Sequence, residues 1–255
     1  MAGHSKWANI KRQKARVDAK KGQVFARISR AIIVAARQGL PDPEANFQLR
    51  SAIEKAKAAG IPNDNIERAI AKGSGQLGAD GDQWEDIRYE GYGPGGVAIL
   101  IEAMTDNRNR TAADLRAAFS KNDGNLGETG CVGWMFDQKG ILTISDPLDE
   151  EVFLEALVES GAETYELIQE EDEIFAEVCV EVTQLDTVAQ ALKTQGYTIQ
   201  EAELRWLAAN TVTIEDADRA RKLLRLMDTL DELDDVQTVT ANFELPEPLL
   251  AQVNR

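Results

Sequence analysis

Apolar residues first recur at helical spacing from Gln23 onward, where Phe25, Ile28, Ile32 and Ala36 mark one face of a helix that ends near Gly39. Pro43 and Glu44 open a second helix. Its stripe is Ala45, Leu49, Ala52, Ile53 and Ala56, and Gly60 stops it. A third, short helix follows Ile61-Pro62, with Asn63 or Asp64 as its cap, and closes at Gly73. The spacing thus predicts a three-helix domain over residues 22–75. The stretch GSGQLGADGDQ, residues 73–83, reads as a linker because glycine and small polar residues dominate it.

Beyond the linker the period alternates between two and 3.6. The pattern predicts strand 97–104, helix 107–121 and strand 130–136; then strand 140–145, helix 149–160, strands 164–169 and 174–181, helix 184–195 and strand 198–205. Strand 210–214, helix 216–231 and strand 236–243 come last. The middle block is a β-α-β-β-α-β unit, the ferredoxin-like arrangement. The flanking blocks are each β-α-β, and joined they complete a second such unit. The expected fold is therefore α+β: a helical N-terminal domain followed by two ferredoxin-like α/β domains, one inserted in the other. Its parts are a basic arm over 1–21, helices over 22–75, a split domain over 84–137 plus 208–245, and an insert over 138–207.

Charge changes this picture. The chain has a net charge of −16, which by itself argues against a nucleic-acid partner. Residues 1–75 nevertheless hold fifteen Lys and Arg against six Asp and Glu, a net of +9, so the remaining thirteen bases and thirty-eight acids leave −25 elsewhere. Ten bases within residues 1–40 face Asp18 alone. Such asymmetry points to an anionic partner for the basic end. The arm combines Lys6, Lys11, Arg12, Lys14, Arg16, Lys20 and Lys21 with one aromatic residue, Trp7, and continues into Arg27 and Arg30 on the first helix. Bases neutralise phosphates and release counterions, and an indole can stack on an unpaired base. The arm also has too few large apolar side chains to offset its ordering entropy in isolation.

A second cationic segment, Asp106-Asn107-Arg108-Asn109-Arg110-Thr111, follows a strand and opens a helix, where free N–H groups and the helix dipole favour anions. Two readings stand side by side. Asp106 or Asn107 caps the helix while the arginines pair with the acidic body, or Asn107, Arg108 and Arg110 touch a phosphate backbone or partner.

Other chemistries find little support. GYGPGG, residues 91–96, matches the dinucleotide fingerprint formally, but VAILIEA, a strand rather than a helix, follows it, so a tight turn joining two strands is expected. The sole histidine, His4, has no carboxylate or cysteine at triad or metal spacing, and no catalytic constellation emerges. Cys131 and Cys179 read as small buried hydrophobes. An RNA-recognition motif fails because Glu177 and Glu181 alternate along strand 174–181 onto the face where RNA would stack. No apolar run reaches the roughly 18 residues of a membrane span, and the N-terminus lacks the apolar core of a secretory signal. A cytoplasmic, non-enzymatic protein without cofactor, metal, membrane or small-molecule substrate is expected.

The strings AGHSKW, DAKKG, IPNDNIERAI, YEGYGPGG, TDNRNRT and DDVQTV, in this order, resemble the YebC family, which includes mitochondrial translational activators of cytochrome c oxidase. The resemblance spans residues 2 to about 243 and implies three domains, DNA-binding transcriptional regulation or, for some members, a ribosome-associated role that eases translation of proline-rich stretches. It carries Lys6, Trp7, Lys11, Lys20, Lys21, Asn107, Arg108 and Arg110 as binding positions. Arg12, Lys14 and Arg16 join them on charge alone. DNA, ribosomal RNA or the ribosome is the implied partner, and a protein-interaction module with an acidic body is a further alternative.

Overall fold

A computed structural model describes residues 21–75, 85–145, 147, 150–170, 173–246, 248 and 249. The chain separates into two compact units, one of residues 137–207 and one of the rest.

In the first unit, helix α1 (Lys21–Gln38), α2 (Phe47–Ala58) and α3 (Asn63–Gly73) bury Ile32, Ile33, Ala36, Leu49, Ala56, Ile66 and Ala69 against one another. Gly73 is small because a Cβ there would lie 2.3 Å from the Ile33 carbonyl oxygen, so α1 and α3 can touch backbone to backbone. α2 starts later than Pro43. The Asn46 side chain accepts the Leu49 N–H at 3.1 Å and donates to the carbonyls of Ala35 and Leu40, so one amide both caps α2 and fastens the preceding loop. At α3 the cap position falls to Pro62, without a side-chain cap bond, and Asn63 is already helical.

The same unit contains a four-stranded sheet. β1 (Glu85–Gly93) and β2 (Val97–Thr105) form an antiparallel hairpin in register Gly93↔Val97, turning through Gly95 and Gly96, both at positive φ. The turn stands where GYGPGG placed it. β3 (Asn125–Leu126) flanks β1, β9 (Val236–Ala241) flanks β2, and the order is β3-β1-β2-β9. Two helices, α4 (Arg108–Lys121) and α7 (Ala217–Asp231), supply Leu115, Phe119, Leu223, Leu226 and Leu230 to a core shared with Ile99, Ile101 and Val239.

The second unit follows the expected order: β4 (Phe136–Ser145), α5 (Glu150–Ser160), β5 (Thr164–Glu170), β6 (Glu173–Val180), α6 (Leu185–Thr194) and β7 (Thr198–Ala208), with strand order β5-β6-β4-β7. Buried Phe153 stacks edge-on to Tyr165, ring centroids 5.7 Å apart, and seats α5 on the sheet.

The α+β architecture, with one α/β domain inserted in another, stands, but three strands of the split domain depart from the periodicity. β1 replaces an unassigned stretch. The expected strand 130–136 is a loop ending in one 3-10 turn, Gly133–Met135, because the Glu90 carboxylate draws in the N–H groups of Gly130, Val132 and Gly133 at 2.8, 2.6 and 2.7 Å. The expected strand 210–214 shrinks to β8 (Val212–Thr213), which pairs in parallel with β10 (Phe243–Glu244) outside the main sheet. Cys179 is buried as expected, whereas Cys131 on the Glu90 loop is only half-buried.

Candidate nucleic-acid interface

Arg30, at the end of the first cationic segment, and Arg110, in the second, meet at one carboxylate, that of Asp235. Thr105 closes β2, and its hydroxyl accepts the N–H of Asn107 at 2.9 Å. Asn107 then caps α4, its side-chain oxygen accepting the N–H of Arg110 at 3.1 Å. This geometry turns Arg110 back over the end of the strand. There Nη2 meets Asp235 Oδ2 at 2.8 Å and Oδ1 at 3.0 Å, and Asp106 Oδ1 at 2.7 Å. The hydroxyls of Thr111 and Thr105 lie 2.8 and 3.1 Å from Asp235 Oδ2.

Arg30 of α1 reaches the same carboxylate, Nη1 lying 3.7 Å from Oδ1, and also donates to the Asp234 carbonyl. One turn earlier, Arg27 pairs with Asp231 Oδ1 at 3.4 Å and donates to the Asp231 carbonyl. Arg27 therefore covers the C-terminal end of α7, where unpaired carbonyls and the helix dipole favour cations, and Arg30 covers the turn that follows it. Asp235 is only 7% exposed. Burial opposes its ionisation, yet the bonds from Arg110, Thr111 and Thr105 outweigh burial and hold its carboxyl below the usual range. An ionised carboxylate of this kind, with most of its donors gathered on Oδ2, positions cations.

Arg108 differs. It is 66% exposed, meets Glu85 Oε2 at 3.3 Å, and stands at the first turn of α4 on the solvent side. Of the expected site residues, then, Arg27, Arg30, Arg108 and Arg110 all have carboxylate partners inside the protein, Arg108 in an exposed pair with Glu85, and Asn107 caps. Lys21 opens α1. Lys6, Trp7, Lys11, Arg12, Lys14, Arg16 and Lys20 lie outside the described residues. Sequence reasoning missed Asp231, Asp235, Thr105 and Thr111 as partners, although Asp235 belongs to the DDVQTV string.

The Glu90 loop is a second charged device. Burial resists the charge on Glu90, but the N–H donors of Val132, Gly130 and Gly133 keep its carboxyl below the ordinary value. Among the described residues no group of His, Cys, Asp and Glu is placed to hold a metal ion. No helix among them is long and apolar enough to cross a membrane. A polar depression lined by Pro94, Asp123, Asp216, Arg219 and Lys222 offers both signs of charge and little apolar surface to a small ligand.

A helical domain fastened by arginines to an α/β domain that carries a second α/β domain as an insert defines a class of three-domain α+β proteins. The chain belongs to the TACO1/YebC family: residues 5–76 match its N-terminal domain and residues 84–243 its second and third domains. A probable transcriptional regulatory protein of Cyanothece sp. is 72% identical, the match covering 99% of each chain. Another so named, from Acaryochloris marina, is 70% identical over 98% of this chain and 99% of its own. The crystal structure of a conserved hypothetical protein from Aquifex aeolicus superposes with a TM-score of 0.81 at 45% identity, covering 91% of this chain and 94% of that one.

Proposed function

We propose that the chain is a regulator of gene expression that binds nucleic acid through its N-terminal 75 residues, as the names of its relatives suggest for transcription. The observation that carries this reading is the segregation of charge. Residues 1–75 have a net of +9, whereas residues 137–207 hold eighteen Asp and Glu against three Lys and Arg, a net of −15. Lys6, Lys11, Arg12, Lys14, Arg16, Lys20 and Lys21 neutralise phosphates, Trp7 stacks on an unpaired base, and Arg108 adds a contact from the first turn of α4. For Arg27, Arg30 and Arg110, phosphate contact competes with Asp231 and Asp235, so their first role is to hold the helical domain against the split domain.

The acidic insert favours a second reading, in which the partner is structured RNA such as that of the ribosome. A net of −25 outside residues 1–75 opposes the approach of a long, uniformly charged duplex, whereas an unpaired segment of a folded RNA can be taken by the arm alone.

The test uses the full chain with Lys11, Arg12, Lys14, Lys20 and Lys21 replaced by alanine. Binding to a labelled duplex and to ribosomes should both fall sharply while the melting temperature stays nearly constant, since exposed substitutions cost within about 0.5 kcal/mol. Retained affinity would sink the assignment. Competition then separates the readings: promoter DNA that displaces the chain from ribosomes at near-physiological salt supports the transcriptional one, and the reverse order supports RNA.

A further inference from the structure

Helix α7 ends against its own dipole. No base stands in its last turn; Asp228 and Asp231 do, and Glu232, Asp234 and Asp235 follow. Carboxylates there face the negative end of the helix, so this composition weakens α7 rather than holding it. The cations come from 204 positions away, from Arg27 and Arg30 of α1. Arg27 takes Asp231 Oδ1 and the Asp231 carbonyl; Arg30 takes Asp235 Oδ1 and the Asp234 carbonyl. Clustered oxygens of this kind are what a phosphate backbone offers a guanidinium.

The contact can also part at low cost. The helical domain and the split domain each have a core of their own. Arg27 and Asp231 meet at 3.4 Å with 26% and 25% of their side chains in water, where an ion pair is weak. If Arg30, 3.7 Å from Asp235, withdrew, that carboxylate would keep Arg110 and Thr111 at 2.8 Å and Thr105 at 3.1 Å. No buried charge is then left alone when α1 leaves.

We propose that the acidic end of α7 is an autoinhibitory latch, which occupies Arg27 and Arg30 in place of phosphate until nucleic acid displaces it. The proposal rests on the nucleic-acid reading of residues 1–75 and adds a conformational step to it. Phosphates take over the two guanidiniums, α1 parts from α7, and Arg110 stays with Asp235. A strand already held by the lysines and arginines of residues 1–21 presents its phosphates to α1 at high local concentration, which a lone anion does not. The closed latch lowers the apparent affinity by the fraction of molecules that it holds shut.

The experiment titrates the full chain against a labelled DNA duplex and a labelled single-stranded RNA. D231N removes the competing charge and should tighten binding of the preferred probe by about twofold to fivefold, the worth of an exposed ion pair. R27Q/D231N should bind no more tightly than R27Q, because the gain needs the guanidinium that the latch releases. Hydrogen exchange of the native chain should rise over residues 228–236 when the probe is added at saturation. Unchanged or weaker binding by D231N, a gain that persists in R27Q/D231N, or exchange over residues 228–236 that stays constant would each overturn the latch and leave a structural clasp. In all three cases the native chain still binds, which separates them from failure of the nucleic-acid reading. A native chain that binds neither probe would sink that reading, and the latch with it.

Discussion

The two α/β domains share a plan, a four-stranded sheet carrying two helices, and bury charge in opposite ways. In the split domain one buried carboxylate, Asp235, serves several cationic and hydroxyl donors, and Arg110 keeps half its surface in water. In the insert one arginine, Arg205, sits between two carboxylates, 3.0 Å from Glu177 and 2.8 Å from Glu203. The difference lies in what remains when the centre is removed. Two carboxylates can each take up a proton and become neutral; a guanidinium cannot lose one in a protein. The split domain has placed the irreplaceable group at its centre.

That contrast is sharpest for Asp235→Ala. Arg110 and Arg30 would lose a shared partner and two buried hydroxyls an acceptor, at a cost of about 3–5 kcal/mol. Thermal melting should show the loss, and a change under about 1 kcal/mol would show that the cluster carries little of the stability. Arg205→Met should cost somewhat less, about 2–3 kcal/mol, because it takes the shared cation from Glu177 and Glu203 but leaves no buried hydroxyl without an acceptor. Hydrogen exchange should place this loss within residues 137–207. Equal costs for the two variants would erase the distinction.

The smallest effect is acid sensitivity. Asp235 and Glu90 have carboxyls held below their usual values, so their contribution is fully present above the unfolded pKa of about 4 and is lost as pH falls through the folded value. The D235N/E90Q chain, lower in stability at pH 7, should lose less of it between pH 7 and pH 3 than the native chain does. Parallel pH profiles would show that these two groups are not the acid-labile ones.

Helices and the insert were legible in the sequence because each buries one stripe against its own neighbours, as Phe153, Ala156 and Leu157 do on α5. β1 was not, since its Arg88, Glu90 and two glycines break the apolar alternation. Gly91 is there because a Cβ would lie 2.8 Å from the Phe119 ring, and Glu90 because it organises a loop forty positions away. The cationic loop was visible as chemistry, and its helix cap was among the expectations. Its partner was not visible, because Arg110 and Asp235 stand 125 positions apart and no local period records such a pairing.

The insertion also sets a timetable. β2 pairs with β9, and Ala98 donates its N–H to Asn242 Oδ1 across 144 positions of chain. A ribosome adding roughly 5–20 residues per second needs about 7–30 seconds to cover that distance. Meanwhile the strands of the insert, all contained within it, can already close. During synthesis the newborn protein therefore holds a finished acidic domain beside an unfinished sheet whose β2 edge still awaits its neighbour, and that interval is when a chaperone or a stray strand has its opening.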